Sequence, residues 1–176
     1  MQHSLVMTII GQDRPGLVDS VASLVAAHGG NWLESRMSRL GGHFAGILRV
    51  DVPVENERPL LAALKKLAAQ GLSVVVHSDP GKTPAARRPL SSLAIIGHDR
   101  PGIIREISHA LAGFGVNVEE LHTECASAAM SGEMLFQASA KLDIPESCNV
   151  AELRRTLEKI AADLIVEVKL EKVPVN

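Results

Sequence analysis

The sequence is poor in aromatic residues, with one Trp, three Phe and no Tyr among 176 residues. Proteins that bind single-stranded nucleic acid stack bases on aromatic side chains, and this chain offers few such platforms. Its formal net charge of −2 also lacks the basic excess that neutralises phosphates in duplex binding. The composition therefore argues against direct contact with nucleic acid.

Cysteines, long apolar runs and catalytic signatures are scarce as well. Cys125 and Cys148 are the only cysteines and form no C-x-x-C pair, which predicts reduced thiols in a cytoplasmic protein. No apolar run approaches a membrane span, and no secretion signal opens the chain. The sequence contains neither a phosphate loop nor a dinucleotide fingerprint nor a nucleophile elbow. We therefore expect no membrane partner, no cofactor and no catalysis.

One nine-residue stretch occurs twice and organises the chain. Ile10–Val18 (IGQDRPGLV) returns 86 positions later as Ile96–Ile104 (IGHDRPGII), and the same offset relates Asn31 to Asn117. A self-match at one fixed offset indicates a duplicated unit. We therefore expect two domains of about 85–90 residues each rather than one.

Both units show the same order of apolar patterns: strand, helix, strand, strand, helix, strand. Period-2 or β-branched runs predict the strands, and 3.6-residue spacing predicts the helices. The predicted strands are 4–10, 31–40, 44–52 and 72–77 in the first unit and 90–96, 116–126, 133–142 and 164–172 in the second. The predicted helices run from Pro15 to the Gly29-Gly30 pair and over 57–70, 102–114 and 150–162.

Residues 79–89 (DPGKTPAARRP) contain three prolines, one glycine and three basic residues, a composition typical of a semi-stiff linker. The predicted domains are therefore 1–78 and 90–176. About six extra residues, 127–132, lie in the second unit between its second and third strands. An exposed hairpin tip tolerates such an insertion at small entropic cost.

This element order predicts an α+β protein. Two tandem ferredoxin-like (βαββαβ) domains are expected, each an antiparallel four-stranded sheet with both helices on one face. Edge strands could pair within the chain or between chains, so the choice between monomer and homo-oligomer stays open.

The turn between the first strand and the first helix of each unit is the candidate binding site. Gly16 and Gly102 lack a Cβ where the helix begins, so a small ligand can approach the backbone. Free N–H groups and the positive end of the helix dipole favour a carboxylate there. Asn31 and Asn117 carry a donor and an acceptor each, which suits an α-amino acid. An equally good interpretation is a purely structural turn, because turns use the same residues.

The pattern GQDRPGLV, followed by a helix, Gly29, Asn31 and a strand, resembles the ACT domain, a small-molecule-sensing module of amino-acid metabolism. Two such units and a short linker resemble the tandem regulators of the glycine cleavage repressor group. Formyltetrahydrofolate deformylases carry a similar segment, but a catalytic domain follows it there. The resemblance implies a non-enzymatic sensor that represses transcription through a LysR-type activator protein, with glycine as its ligand.

The resemblance also implies ligand contacts, at positions carried over from the motif. They are Asp13, Arg14, Gly16, Leu17 and Asn31 in the first unit and Asp99, Arg100, Gly102, Ile103 and Asn117 in the second. ACT ligands commonly lie between paired domains, so each site could be completed by the other unit or by a second chain. Two rivals stay open: a sensor of a different small anionic metabolite, and an accessory subunit of an amino-acid-metabolising enzyme.

One cluster of acidic and histidine residues is not predicted to be a metal site. Glu120, His122 and Glu124 alternate along a predicted strand and superficially suggest a metal site. Their counterparts in the first unit are Glu34, Arg36 and Ser38, so the trio is not repeated. A solvated strand face is the better interpretation.

Overall fold

A computed structural model of the chain describes residues 1–78, 89–127 and 133–172. Nearly all of the predicted linker and of the predicted hairpin insertion lies outside the described residues. The chain divides into two compact units, Met1–Ala85 and Ala86–Asn176. Each described core cluster is composed of residues from one unit.

The first unit has the predicted order of elements. They are β1 (Gln2–Gln12), α1 (Leu17–Ala27), β2 (Asn31–Leu40), β3 (His43–Pro53), α2 (Val54–Lys66), a 3₁₀ turn (Leu67–Gln70) and β4 (Leu72–Ser78). The four strands form one antiparallel sheet in the order β2-β3-β1-β4. This is the arrangement of a ferredoxin-like fold.

The second unit repeats this arrangement. Its elements are β5 (Ser91–His98), α3 (Ile103–Gly113), β6 (Asn117–Ser127), β7 (Met134–Asp143), α4 (Val150–Leu164) and β8 (Val166–Lys172). The sheet order β6-β7-β5-β8 is again fully antiparallel. Both units even carry a β-bulge at the same point, between Trp32 and Glu34 and between Val118 and Glu120. The predicted α+β class and the tandem ferredoxin-like architecture are confirmed.

The helices cover one face of each sheet because apolar side chains alternate along the central strands. In the first unit the buried positions of β1 are Leu5, Met7 and Ile9, and they pack with buried residues of β3, α1 and α2 in one cluster. On the open face Val6 is partly buried and Thr8 and Ile10 are exposed, with 52% of the Ile10 surface accessible. Because successive side chains of a strand point to opposite faces, the apolar set packs against the helices and the other set lies on the open face.

Several predicted boundaries were wrong by a few residues. β1 does not stop at Ile10 but continues through Gly11 to Gln12, and only glycine fits at position 11, because a Cβ there would lie 2.6 Å from the Gly71 carbonyl oxygen. Glycine lets β1 and β4 approach closely at this end of the sheet. α2 begins directly after Pro53 instead of at Glu57. α4 extends to Leu164, so β8 begins only at Val166.

None of the described helices is both long and apolar enough to cross a bilayer.

Candidate ligand-binding loops

The loop between the first strand and first helix of each unit ends at a glycine in the left-handed region. Gly16 has φ of 89° and Gly102 has φ of 100°, and each is the N-cap of its helix. Pro15 therefore precedes the cap instead of lying in the first helical turn, where the sequence analysis placed it. Space for a Cβ is open at both glycines, so it is the backbone angle that demands glycine here.

Both helices begin without a side-chain cap. Their N-cap residues, Gly16 and Gly102, make no side-chain capping hydrogen bond to the first-turn N–H groups. By contrast, the Asn149 side chain accepts from the Glu152 N–H and caps α4. An uncapped helix start leaves N–H donors and the positive dipole end available, worth about 0.3–1 kcal/mol to an exposed carboxylate.

In the first unit this loop forms one wall of a concavity of about 340 Å³. Its lining residues are Asp13, Arg14, Gly16, Leu17, Val18, Asp19 and Phe44. Four of the five positions predicted for this unit thus meet at one cavity. A volume of this size suits a small metabolite.

Neighbouring elements hold the loop of the first unit in place. The Asp13 N–H donates to the Gly42 carbonyl at 2.9 Å, and an Arg14 guanidinium nitrogen donates to the Gln70 carbonyl at 3.1 Å. The Asp13 carboxylate pairs with Arg39 of β2, with 2.8 Å between Oδ2 and Nε. The loop is therefore tied to both edges of its sheet.

The loop of the second unit has the same backbone tie but different side-chain neighbours. The Asp99 N–H donates to the Met134 carbonyl at 3.2 Å. The Asp99 carboxylate lies near the Cys125 thiol and, after desolvation, helps to raise the pKa of that thiol. Arg100 is exposed on the same loop.

Leu17 and Ile103 contribute to the loops through their backbone only. Their side chains are 3% and 2% exposed and belong to the hydrophobic cores. A ligand at the loop can therefore meet the N–H groups of these residues but not their side chains. Sequence reasoning had not separated these two roles.

The two predicted asparagines lie far from the loop of their own unit. Asn31 pairs with Asp51, which in turn lies opposite Ser4, whereas the loop follows Gln12. Eight residues of β1 at about 3.3 Å each separate the two ends by roughly 26 Å. Asn117 has the equivalent position opposite Asp143 and donates to the nearby Glu119 carboxylate. The loop and the asparagine of one unit cannot contact the same amino acid.

Three residues around the loops were missed by the sequence analysis. Phe44 and Asp19 line the cavity, and Arg39 binds the loop carboxylate. Each has a counterpart in the second unit: Phe136, Arg105 and Cys125. Comparing the two repeats beyond the Asp-Arg-Pro-Gly motif would have found the two that differ, Arg105 and Cys125.

The trio Glu120, His122 and Glu124 lies on the helix-free face of the second sheet, opposite Lys141, Ser139 and Gln137 on β7. The Glu120 carboxylate is 2.8 Å from the Lys141 ammonium nitrogen. Within residues 1–78, 89–127 and 133–172, no group of three or more His, Cys, Asp and Glu side chains is arranged to hold a metal ion.

Comparison with known proteins also finds two repeated units in the chain. The ACT-domain family model matches residues 3–77 and 93–171. The chain is 26% identical to the glycine cleavage system transcriptional repressor of Escherichia coli (strain K12), over 93% of this chain and 86% of that protein; the Shigella flexneri repressor matches equally well.

Among solved structures, an unknown protein from Galdieria sulphuraria superposes with a TM-score of 0.86 at 27% identity, covering 99% of this chain and 100% of that one. The resemblance inferred from the motif is therefore confirmed for the whole tandem, and it supports a regulatory role. The chain belongs to the ACT-domain family, with two ACT domains in tandem.

Proposed function

We propose that this protein is a non-enzymatic amino-acid sensor that regulates transcription by contacting another protein. The carrying observation is the cavity at the first loop, where an uncapped helix start, Asp13 and Arg14 meet. Donors for a carboxylate and an acid for an ammonium group, close together, suit an α-amino acid. The same loop is present in the second unit.

Glycine is the proposed ligand. It is the smallest amino acid, and the likeness to glycine cleavage system transcriptional repressors directs attention to it. The proposed contacts are those carried over from the motif: Asp13, Arg14, Gly16, Leu17, Asp99, Arg100, Gly102 and Ile103. Asn31 and Asn117 take part only if a loop and an asparagine from different units meet at one ligand.

A LysR-type activator protein is the proposed partner, rather than DNA. The net charge of −2 and the shortage of aromatic residues favour protein contact over nucleic-acid contact. A ligand changes such a contact only if it binds one state of the protein more tightly than the other. Glycine should therefore change the affinity for the activator, and the activator should change the affinity for glycine by the same factor.

A thermal-shift panel against the twenty amino acids tests the ligand. At a hundred times the dissociation constant, a ligand adds about 2.7 kcal/mol to the free energy of unfolding. We expect an upward shift in Tm that is selective for glycine or a close analogue and is reduced in Asp99→Asn. Gln137→Ala, on the open sheet face, serves as a control that keeps the shift. A panel without any shift would leave Asp-Arg-Pro-Gly as a structural turn and overturn the sensor.

Co-elution with a purified LysR-type activator, with and without glycine, tests the partner. We expect a complex whose stability depends on glycine and no shift of promoter DNA by this chain alone. A stable complex with an amino-acid-metabolising enzyme instead would establish the accessory-subunit alternative.

A further inference from the structure

The two loops share their motif but not the residue that faces their carboxylate. In the first unit Arg39 binds Asp13, with 2.8 Å between Nε and Oδ2. At the 86-residue offset, Arg39 corresponds to Cys125. The repeat thus exchanges a permanent cation for a thiol at one position.

Strand register shows that these two residues are structurally equivalent. Arg39 lies opposite Phe44 on β3, and Cys125 lies opposite Phe136 on β7. Phe44 lines the cavity at the first loop. Both residues therefore stand on the edge strand beside the loop, at the same point of their sheets.

Cys125, unlike Arg39, places no positive charge beside the carboxylate of its loop. Desolvation and the nearby Asp99 carboxylate raise the pKa of the Cys125 thiol, which therefore stays neutral. Because Cys125 is exposed, the Asp99 carboxylate explains the raised pKa of this thiol better than desolvation does. A neutral thiol adds no positive charge, so Asp99 can still attract an ammonium group, whereas Asp13 already has a cation bound.

A second exchange acts in the same direction at the helix start. Asp19, in the first turn of α1, lines the first cavity and would repel a ligand carboxylate from the N–H groups. Its counterpart in α3 is Arg105, which attracts a carboxylate, although it also pairs with Glu106 at 3.0 Å. Both exchanges favour a zwitterion in the second unit.

We propose that Arg39 and Cys125 determine which loop binds the amino acid more tightly: the second loop binds its ammonium group at Asp99, and Arg39, paired with Asp13, weakens the same contact in the first loop. This inference rests on the proposed function, because it names the sensing unit and the charge class of its ligand. An exposed ion pair shifts an equilibrium by up to about fivefold, so Arg39 should weaken the first site by about that factor.

A titration that observes the two loops separately tests this inference. The full-length protein, labelled with ¹⁵N, is titrated with glycine while the backbone amide resonances of Gly16 and Gly102 are followed. We expect the Gly102 resonance to saturate at a lower glycine concentration. Cys125→Arg should weaken binding at the Gly102 loop about fivefold, and Arg39→Cys should strengthen binding at the Gly16 loop by a similar factor.

Two control variants make the same charge changes on the opposite face of the same strands. Arg36→Cys removes a cation from β2 on the helix-free side, where Arg36 lies opposite Ile47. Ala126→Arg adds a cation to β6 opposite Leu135, next to Cys125 in sequence but on the other face. Neither should change the affinity of the nearby loop by more than a small fraction of the effect at Arg39 or Cys125.

The outcomes are distinguishable. Loops that both bind glycine equally well, or affinities that do not move in Arg39→Cys and Cys125→Arg, would overturn this inference and leave the sensor intact. If Arg36→Cys and Ala126→Arg changed the affinities as strongly as the test variants, the inference would also be overturned, because a change in net charge alone would then explain the effect. Glycine that perturbs neither loop would overturn the sensor proposal together with this inference.

Discussion

At the scale of single residues, the glycine of the motif Asp-Arg-Pro-Gly is strictly required, whereas the residue beside its aspartate differs between the two units. Glycine is required because the helix cap has positive φ in both units. The neighbours of Asp13 and Asp99 differ, since one is a guanidinium and the other a thiol. A duplicated backbone can thus carry two chemically different loops.

Gly102→Ala should destabilise the second unit by about 1–2 kcal/mol, because an L-residue resists the left-handed region. Gly113→Ala is the matched control in the same helix, where no atom lies within 4 Å of the added Cβ and φ is not positive. It should stabilise by about 0.5–1 kcal/mol. Urea denaturation followed by circular dichroism measures both, and equal effects would contradict a conformational role for Gly102.

Asp99→Asn should speed the alkylation of Cys125. The carboxylate raises the pKa of this thiol, so its removal leaves more thiolate at any given pH. Because the folded state favours the neutral thiol, this contribution to stability is present at neutral pH and is lost as the pH rises through the raised pKa.

Cys148 is the internal control for this experiment. Burial and Glu152 raise the pKa of its thiol, so its rate should not respond to Asp99. Iodoacetamide labelling across a pH series, read by mass spectrometry, reports both cysteines. If the Cys125 labelling rate depended on pH in the same way in the unsubstituted protein and in Asp99→Asn, Asp99 would not act on the thiol.

At the scale of elements, the helices of the two units do not all begin in the same way. α4 has a side-chain cap, with 3.2 Å between the Glu152 nitrogen and the Asn149 Oδ1. α1 and α3, at the candidate loops, have none. α2 also begins without a side-chain cap, so open N–H groups favour an anion at α1 and α3 only together with the Asp-Arg-Pro-Gly loops that precede them.

Asn149→Ala should cost about 1 kcal/mol in the free energy of unfolding, because it removes the side-chain acceptor of the Glu152 N–H and leaves that N–H only the Asn149 carbonyl. Asn149→Ser keeps an accepting oxygen and should retain most of that stability. Urea denaturation of the two variants measures the difference. Equal losses would show that the cap does not stabilise α4.

At the scale of the whole molecule, the described residues include one hydrophobic core cluster in each unit. Leu64 and Leu157 are equivalent leucines, each 1% exposed, in α2 and α4. The single tryptophan, Trp32, packs against the core of the first unit. Its fluorescence therefore reports on the first unit.

Leu64→Ala should lower the midpoint of the Trp32 fluorescence transition, because removing a buried leucine costs about 2–5 kcal/mol. Leu157→Ala should leave that midpoint in place and lower the stability of the second unit by a similar amount, seen by circular dichroism. A fall in the Trp32 midpoint in both variants would show that the two cores unfold as one cooperative unit.

The sequence by itself determined the duplication, the order of elements, the fold class and the position of the loops. These follow from local rules: the spacing of apolar residues selects helix or strand, and glycine marks the turn. The errors were at boundaries, as at Gly11, where a neighbouring strand rather than the local pattern decides how far β1 extends.

Only the tertiary structure decided which residues surround the loops. Arg39 reaches Asp13 because β2 runs back along the sheet edge, and the same pairing carries Asn31 to the far end. Strand register is set by contacts between residues distant in sequence, which no local pattern encodes. The sequence alone could therefore locate the motif, but it could not show that its two copies have different electrostatic neighbours.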